Sequence, residues 1–192
     1  MTGPAPGFQA FTLKSTGIAS QLVTPITVME AFNPAAPPST LPRSFNTEAL
    51  WDTGASKSVV SPNVVSTLQL IPVGVANVSH PRGSSSSPTY LLNFGLPNKV
   101  GVAGVLVTEF SPISGGFQAI IGMDIICLGD FVVTNVAGKT CMSFRMPSVA
   151  QVDYVVEHKS QLKAAFGRNT PCPCGATQPN GRPIKFKHCH GK

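Results

Sequence analysis

A chain of 192 residues, 42% hydrophobic and only 11% charged, has the composition of a folded protein and the length for one sizeable core plus a small appendage. No apolar run approaches the length of a membrane span, and the Pro/Gly-rich residues 1–8 lack the basic-then-apolar order of a secretion signal, so the expected compartment is the cytoplasm. The net charge of +6 is unevenly placed: residues 1–156 hold seven Lys/Arg and seven Asp/Glu, whereas 157–192 hold seven Lys/Arg and one Glu.

Eighteen glycines and eighteen prolines favour many turns and short strands. After a flexible start over 1–8, strand-like stretches rich in Val, Ile and Thr cover 9–14 and 21–32, and a Pro-rich loop covers 33–44. A short strand at 47–51 leads into Asp52-Thr53-Gly54-Ala55. The stretch 58–70 alternates with apolar positions and accommodates a short helix with Pro62 near its start. Strands at 73–78 and 89–94 flank a polar tip, 79–88, and read as a long hairpin with a mobile end. A further strand spans 100–110, with Gly101 and Gly104 as bulge or close-approach points. A buried run at 119–128 and strands at 131–136 and 140–144, joined by a turn at 137–139, complete the pattern. From Ser148 the spacing becomes helical: Val152, Val155, Val156, Leu162 and Phe166 recur on one face. Ser148 is placed to cap this helix and Gly167 to end it, as a connector laid against the β domain.

Asp-Thr-Gly occurs once, and alone it reads equally well as an exposed turn after a strand. Its context sharpens it. An apolar strand ending in Trp51 precedes it, Val59 and Val60 follow, and Ile120-Ile121-Gly122-Met123-Asp124 comes about 70 residues later, beyond the hairpin. This order of motifs, over residues 9–146, resembles the retropepsins, the aspartic peptidases of retroviruses, retroelements and their cellular relatives. The resemblance implies an all-β fold, a retropepsin-like closed β barrel with a short helix, over residues 9–147. It implies a homodimer in which each chain supplies one catalytic Asp52 to hydrolyse an extended polypeptide. Thr53 would hydrogen-bond across the dimer, and Gly54 would bring its N–H to the carboxylates. Arg82, Gly83 and Ser84 would lie near a flap tip that closes over the substrate. Asp124 would act structurally at a helix start. Ala55 stands where many acid-optimum relatives carry a hydroxyl; without that donor the carboxylate pair is less stabilised as an anion, which favours activity nearer neutral pH. The chain also continues well past the usual end of the family, and its 33–44 loop is longer than in the viral enzymes.

The chemistry explains the need for two chains. One carboxylate activates water while one carboxylic acid protonates the carbonyl oxygen. Two carboxyl groups in contact share a proton and titrate as a pair. One Asp-Thr-Gly per chain therefore means a symmetric dimer or no such enzyme.

The cysteines divide in two. Cys127 and Cys141 sit in apolar surroundings and read as small core residues. Cys172, Cys174, Cys189 and His190 supply the ligand types of a tetrahedral structural zinc site, where the alternative is reduced surface thiols; His188 competes with His190 as the fourth ligand. The words around them, Arg168-Asn169-Thr170-Pro171-Cys172-Pro173-Cys174-Gly175 and Lys185-Phe186-Lys187-His188-Cys189-His190-Gly191, resemble the SEC-C motif found on the SecA translocation motor and on many bacterial proteins. The spacer between Cys174 and Cys189 is longer than in the common version. The expected organisation is thus a peptidase domain at 9–147, a helical linker at 148–168 and a SEC-C zinc knuckle at 169–192. By resemblance the basic tail would contact proteins, the ribosome or nucleic acid, and the source would be bacterial. Two further readings stand beside the peptidase: a non-catalytic module that grips extended segments by strand addition, and a ribosome- or nucleic-acid-associated factor acting through the tail. Few aromatics interleave with its basic residues, which limits base stacking.

Overall fold

A computed structural model of the chain describes residues 9–40, 42–80, 83–110 and 116–191. The start at 1–8 and Arg82 of the expected flap tip lie outside the described residues. The chain divides into two compact units, Met1–Val149 and Ala150–Lys192.

In the first unit the described elements run β1 (Gln9–Lys14), β2 (Val23–Glu30), β3 (Ser44–Trp51), β4 (Val59–Val60), α1 (Pro62–Thr67), β5 (Gly74–His80), β6 (Gly83–Gly95), β7 (Gly101–Glu109), β8 (Ala119–Ile121), α2 (Met123–Ile126), β9 (Asp130–Thr134) and β10 (Cys141–Met146). Seven strands form a sheet in the order β2-β3-β8-β4-β7-β6-β5, and β2 also pairs with β6. Six strands thereby close into a barrel, the all-β architecture expected from the sequence, and β5 extends from it as a hairpin with β6. Period-2 alternation builds the interior: Thr24, Ile26 and Val28 of β2 and Tyr90, Leu92 and Phe94 of β6 are all buried. The bulge expected near Gly104 is present. The β6–β7 register shifts between Leu92 and Phe94, Gly104 has φ +69°, and its N–H donates to Asn93 Oδ1 at 2.8 Å. Asn93 is buried, and its amide group also donates to the Phe32 carbonyl at 2.8 Å, so both ends of this polar side chain are satisfied.

A second sheet, β1-β10-β9, meets the barrel through aromatic rings. Trp51 stacks on Phe131 at 5.6 Å and 8°, with Phe144 at 5.1 Å and Phe11 at 5.8 Å. Its buried indole N–H donates to Thr24 Oγ1 at 2.9 Å. Such ring pairs contribute about 0.5–1.5 kcal/mol each beyond their area burial. The residue immediately before Asp52 is therefore among the most constrained in the unit.

The hairpin differs from its sequence reading. The β5–β6 ladder runs without a break from Gly74 opposite Thr89 to His80 opposite Gly83, so residues expected in a loose tip are strand. A serine run carries no preference strong enough to overrule backbone pairing to a Val-containing partner strand. Helix α1 follows expectation, with Pro62 in its first turn and Ser61 Oγ accepting from the Val64 N–H.

The second unit holds α3 (Tyr154–Ala165). It starts later than the sequence reading and has a different cap: Asp153 Oδ1 accepts from the N–H groups of Val155 (2.9 Å) and Val156 (3.0 Å). Ser148 is engaged elsewhere, its hydroxyl donating to Asp130 Oδ1 at 2.5 Å. At the C-terminal end, Phe166 leaves the helix with φ −120°, one residue before Gly167. No helix among the described residues is long and apolar enough to cross a membrane.

Asp130 accepts, where the first unit ends, from Ser148 Oγ, from the Val149 N–H at 3.1 Å and from Arg145 Nε at 2.6 Å. The Ser148 hydroxyl first, then the Val149 N–H and the Arg145 guanidinium, hold its carboxyl far below the usual carboxylate range. A depressed folded pKa adds stability that is complete above the ordinary value of about 3.9 and is lost as pH falls below it. Urea unfolding at pH 7 and pH 3 checks this. Asp130→Asn is expected to lower the midpoint at pH 7, and the gap to wild type is expected to narrow at pH 3.

Candidate functional site

Asp52 follows the end of β3 in a tight turn. Its N–H donates to the Ile121 carbonyl at 3.0 Å, and its carbonyl accepts from the Ala55 N–H at 3.2 Å. The side chain is half-buried, and Oδ1 accepts from the Gly54 N–H at 2.8 Å. A Cβ on Gly54 would stand 3.1 Å from that same oxygen, so glycine leaves the carboxylate uncrowded. Thr53 is exposed. The Asp52 side chain thus reaches solvent from a backbone that cannot shift without breaking sheet bonds.

The strand topology accounts for this rigidity. β8 lies between β3 and β4, parallel to the first (Trp51 opposite Ile121) and antiparallel to the second (Val59 opposite Ile120). The loop 52–58 must therefore pass over the end of β8. It is held there by Met123 N–H to the Ala55 carbonyl at 2.8 Å and by a clamp that sequence reasoning missed. Ser58 is fully buried. Its N–H donates to both Asp124 oxygens at 3.0 Å, its hydroxyl donates to Asp124 Oδ1 at 2.7 Å, and its Oγ accepts from the Gly122 N–H at 3.0 Å. Nothing local marks Ser58, since its partner lies 66 residues away. Asp124 does stand in the first turn of α2, where it also accepts from the Ile125 N–H. With both of its oxygens committed to Ser58, it is not a second acid for Asp52.

Gly83 lies at the described end of the β5–β6 hairpin with φ +131°, a backbone that side chains disfavour. Ser84 pairs with Ser79 in the ladder.

The second cluster lies in residues 150–192. Cys172, Cys174, Cys189 and His190 place their ligand atoms within 4.8 Å of one another. Cys174 Sγ is 3.5 Å from Cys172 Sγ and 3.6 Å from Cys189 Sγ; His190 Nδ1 is 3.2 Å from Cys172 Sγ and 3.3 Å from Cys189 Sγ. A tetrahedron with Zn–S of about 2.3 Å and Zn–N of about 2.05 Å has edges of about 3.8 and 3.6 Å, so the four short contacts would open slightly and the other separations, within 4.8 Å, would close for the donor set to hold such an ion. His188, the competing ligand, is exposed and outside the cluster. The two ligand segments are held by a short ladder, with Cys172 N–H to the Ile184 carbonyl and Phe186 N–H to the Thr170 carbonyl, each at 2.8 Å. The long spacer folds back on itself, Gln178 N–H donating to the Arg182 carbonyl at 2.8 Å, so its extra length leaves the ligands in place. Burial pushes the Cys172 thiol up, but hydrogen bonds from the Cys174 and His190 backbone and from their side chains outweigh it and bring it down to about 6. Contacts with Cys174 and Cys172 push Cys189 up to about 11. A dication at the centre would favour the thiolate form of each of these cysteines.

No protein-family model matches the chain, and no curated protein matches it. Among solved structures it is similar to a retropepsin-like aspartic protease from Rickettsia conorii, at 9% identity and a TM-score of 0.44, over 73% of this chain and 96% of that one. It is also similar to simian foamy virus (mac) protease, at 16% identity and a TM-score of 0.34, over 52% and 88% of the two chains. A third is Lpg0085 of Legionella pneumophila, a protein of unknown function, at 18% identity and a TM-score of 0.25, over 42% and 74%. These similarities concern the course of the chain and assign no residue a role.

Gly122 permits a direct test of the threaded strand. A Cβ there would lie 2.6 Å from the Lys57 carbonyl carbon and 2.9 Å from the Ala55 carbonyl oxygen. Gly122→Ala is expected to cost about 1–3 kcal/mol in urea unfolding, as overpacking does. Gly17→Ala, with nothing within 4 Å, is expected to stay within about 0.5 kcal/mol of wild type.

Proposed function

We propose that the chain is an aspartic endopeptidase that works as a homodimer, each protomer contributing Asp52. The supporting observation is the pinned turn that holds a solvent-reaching Asp52 carboxylate beside the Gly54 N–H. In the dimer one Asp52 is ionised and draws a proton from water. The other is protonated and gives its proton to the carbonyl oxygen of the scissile peptide as the tetrahedral intermediate forms. Thr53, exposed beside the acid, hydrogen-bonds across the dimer. The hairpin end around Arg82, Gly83 and Ser84 covers an extended polypeptide substrate. Ala55 offers no hydroxyl to stabilise the carboxylate pair as an anion, which favours working pH nearer neutral than acidic. That suits a cytoplasmic protein.

A peptide-library digest read by mass spectrometry tests this reading. Wild type is expected to cut, and Asp52→Asn is expected to lose at least about a hundredfold of the rate, the order of an acid–base group's contribution. Identical products from both proteins would rule out cleavage by Asp52, and no cutting by either would favour a non-catalytic peptide-binding module. Sizing of the same samples is expected to find a dimer.

For the tail we propose a structural Zn²⁺ held by Cys172, Cys174, Cys189 and His190 in a SEC-C-like knuckle that recruits a protein, ribosomal or nucleic-acid partner. The ion would fold the knuckle and would leave no open position for chemistry. Cys172→Ser is expected to abolish capture of the partners that wild type retains in a pull-down. Recovery of the same partners by the variant would exclude recruitment through the folded knuckle.

A further inference from the structure

Helix α3 has little of its own to hold it. None of its twelve residues is buried, and Val155 and Val156 are 62% and 58% exposed. A helix this short is marginal in water unless something packs on it. Its contacts lead to the metal cluster. Val155, His158, Lys159 and Leu162 follow the i, i+3, i+4, i+7 spacing and share one helix face. The same four side chains, with Tyr154, line a groove of about 430 Å³ whose remaining lining residues are Cys189 and His190. At the helix end the Phe166 ring stands 5.9 Å from Phe186, which is buried among the ligand segments.

The groove brings together two kinds of charge. With a dication bound, three thiolates and a neutral imidazole would sum to −1, and this partly exposed centre would border a groove that also carries an ammonium and an imidazole from α3. The acids nearby on the helix are otherwise engaged: Asp153 caps it, and Glu157 accepts from Gln161 at 3.0 Å. Cations and N–H donors beside a metal–thiolate centre orient its ligands and offset its charge.

We infer that α3 belongs to the metal-folded unit. Metal loading orders the knuckle and the helix in one step, with Lys159, assisted by His158, as a positioning residue that faces the metal–thiolate centre across the groove. This rests on the metal-site reading above. It goes beyond it by making the helix a responder to metal rather than a passive connector.

The test uses the full chain stripped with a chelator and titrated with Co²⁺, then Zn²⁺. Visible absorption of tetrahedral cobalt–thiolate reports metal, and far-ultraviolet circular dichroism reports helix. The helical signal is expected to rise in step with metal, reaching its plateau at one equivalent. Lys159→Gln is expected to weaken Zn²⁺ binding about tenfold, at the lower end of the loss seen for outer-shell partners. Lys159→Arg is expected to stay near wild type. Lys163→Gln removes the same charge from the same helix outside the groove, and it is also expected to stay near wild type. The helical signal of each variant at saturating Zn²⁺ checks that it still folds. Stoichiometric metal binding with no gain in helical signal, or equal losses from Lys159→Gln and Lys163→Gln, would overturn the inference while leaving the metal site standing. Absence of any cobalt–thiolate absorption would sink the metal site and the inference together.

Discussion

Asp52 depends on a three-residue strand lying between two others. β8 takes hydrogen bonds from β3 on one side and β4 on the other, and the loop joining β3 to β4 has to cross its end. That crossing leaves no room for a Cβ at Gly122. It is closed by Ser58 and Asp124, a buried hydroxyl and N–H against a carboxylate. Charge-assisted bonds of this kind are shorter and stronger than neutral ones and poorly replaced by water once buried. The acid in the turn is therefore presented by a frame in which the loop, the strand and the first turn of α2 cannot move separately.

The same frame extends into the core through Trp51. Its ring joins β3 to the β1-β10-β9 sheet by way of Phe11, Phe131 and Phe144, and its N–H is satisfied within the barrel. The adjacent Asp52 faces outward. One residue step along the chain turns the side chain to the other face, so a buried aromatic stands directly beside the candidate acid.

The two units rest on different forces. The first closes a barrel around a continuous hydrophobic core. In the second, among the described residues, only Cys172 and Phe186 are buried apolar side chains. A unit of that size cannot offset its conformational entropy by burial alone, and small domains of this kind use metals or other cross-links instead. Four side chains of ligand type lie with their donor atoms within 4.8 Å of one another, a cluster that could hold a metal ion.

Much of this was legible in the residues. Stretches rich in Val, Ile and Thr marked the barrel strands, Pro62 marked the start of α1, and Gly104 marked the bulge, because these signals act over a few residues and carry their own geometry. The Cys and His side chains of the second cluster were readable for the same reason: each pair is local, and the spacer between them has only to fold back. What tertiary structure alone decided are the long-range choices. The burial of Ser58 against Asp124, the pairing of the serine-rich tip into a continuous hairpin, and the passing of the capping role from Ser148 to Asp153 depend on partners that periodicity does not name. The acid motif could be found from sequence because glycine and aspartate are chemically distinctive at that spacing. The rigidity behind it could not, because it arises from a strand about 70 residues away and from the absence of a single methyl-sized volume at Gly122, which only the packed chain makes significant.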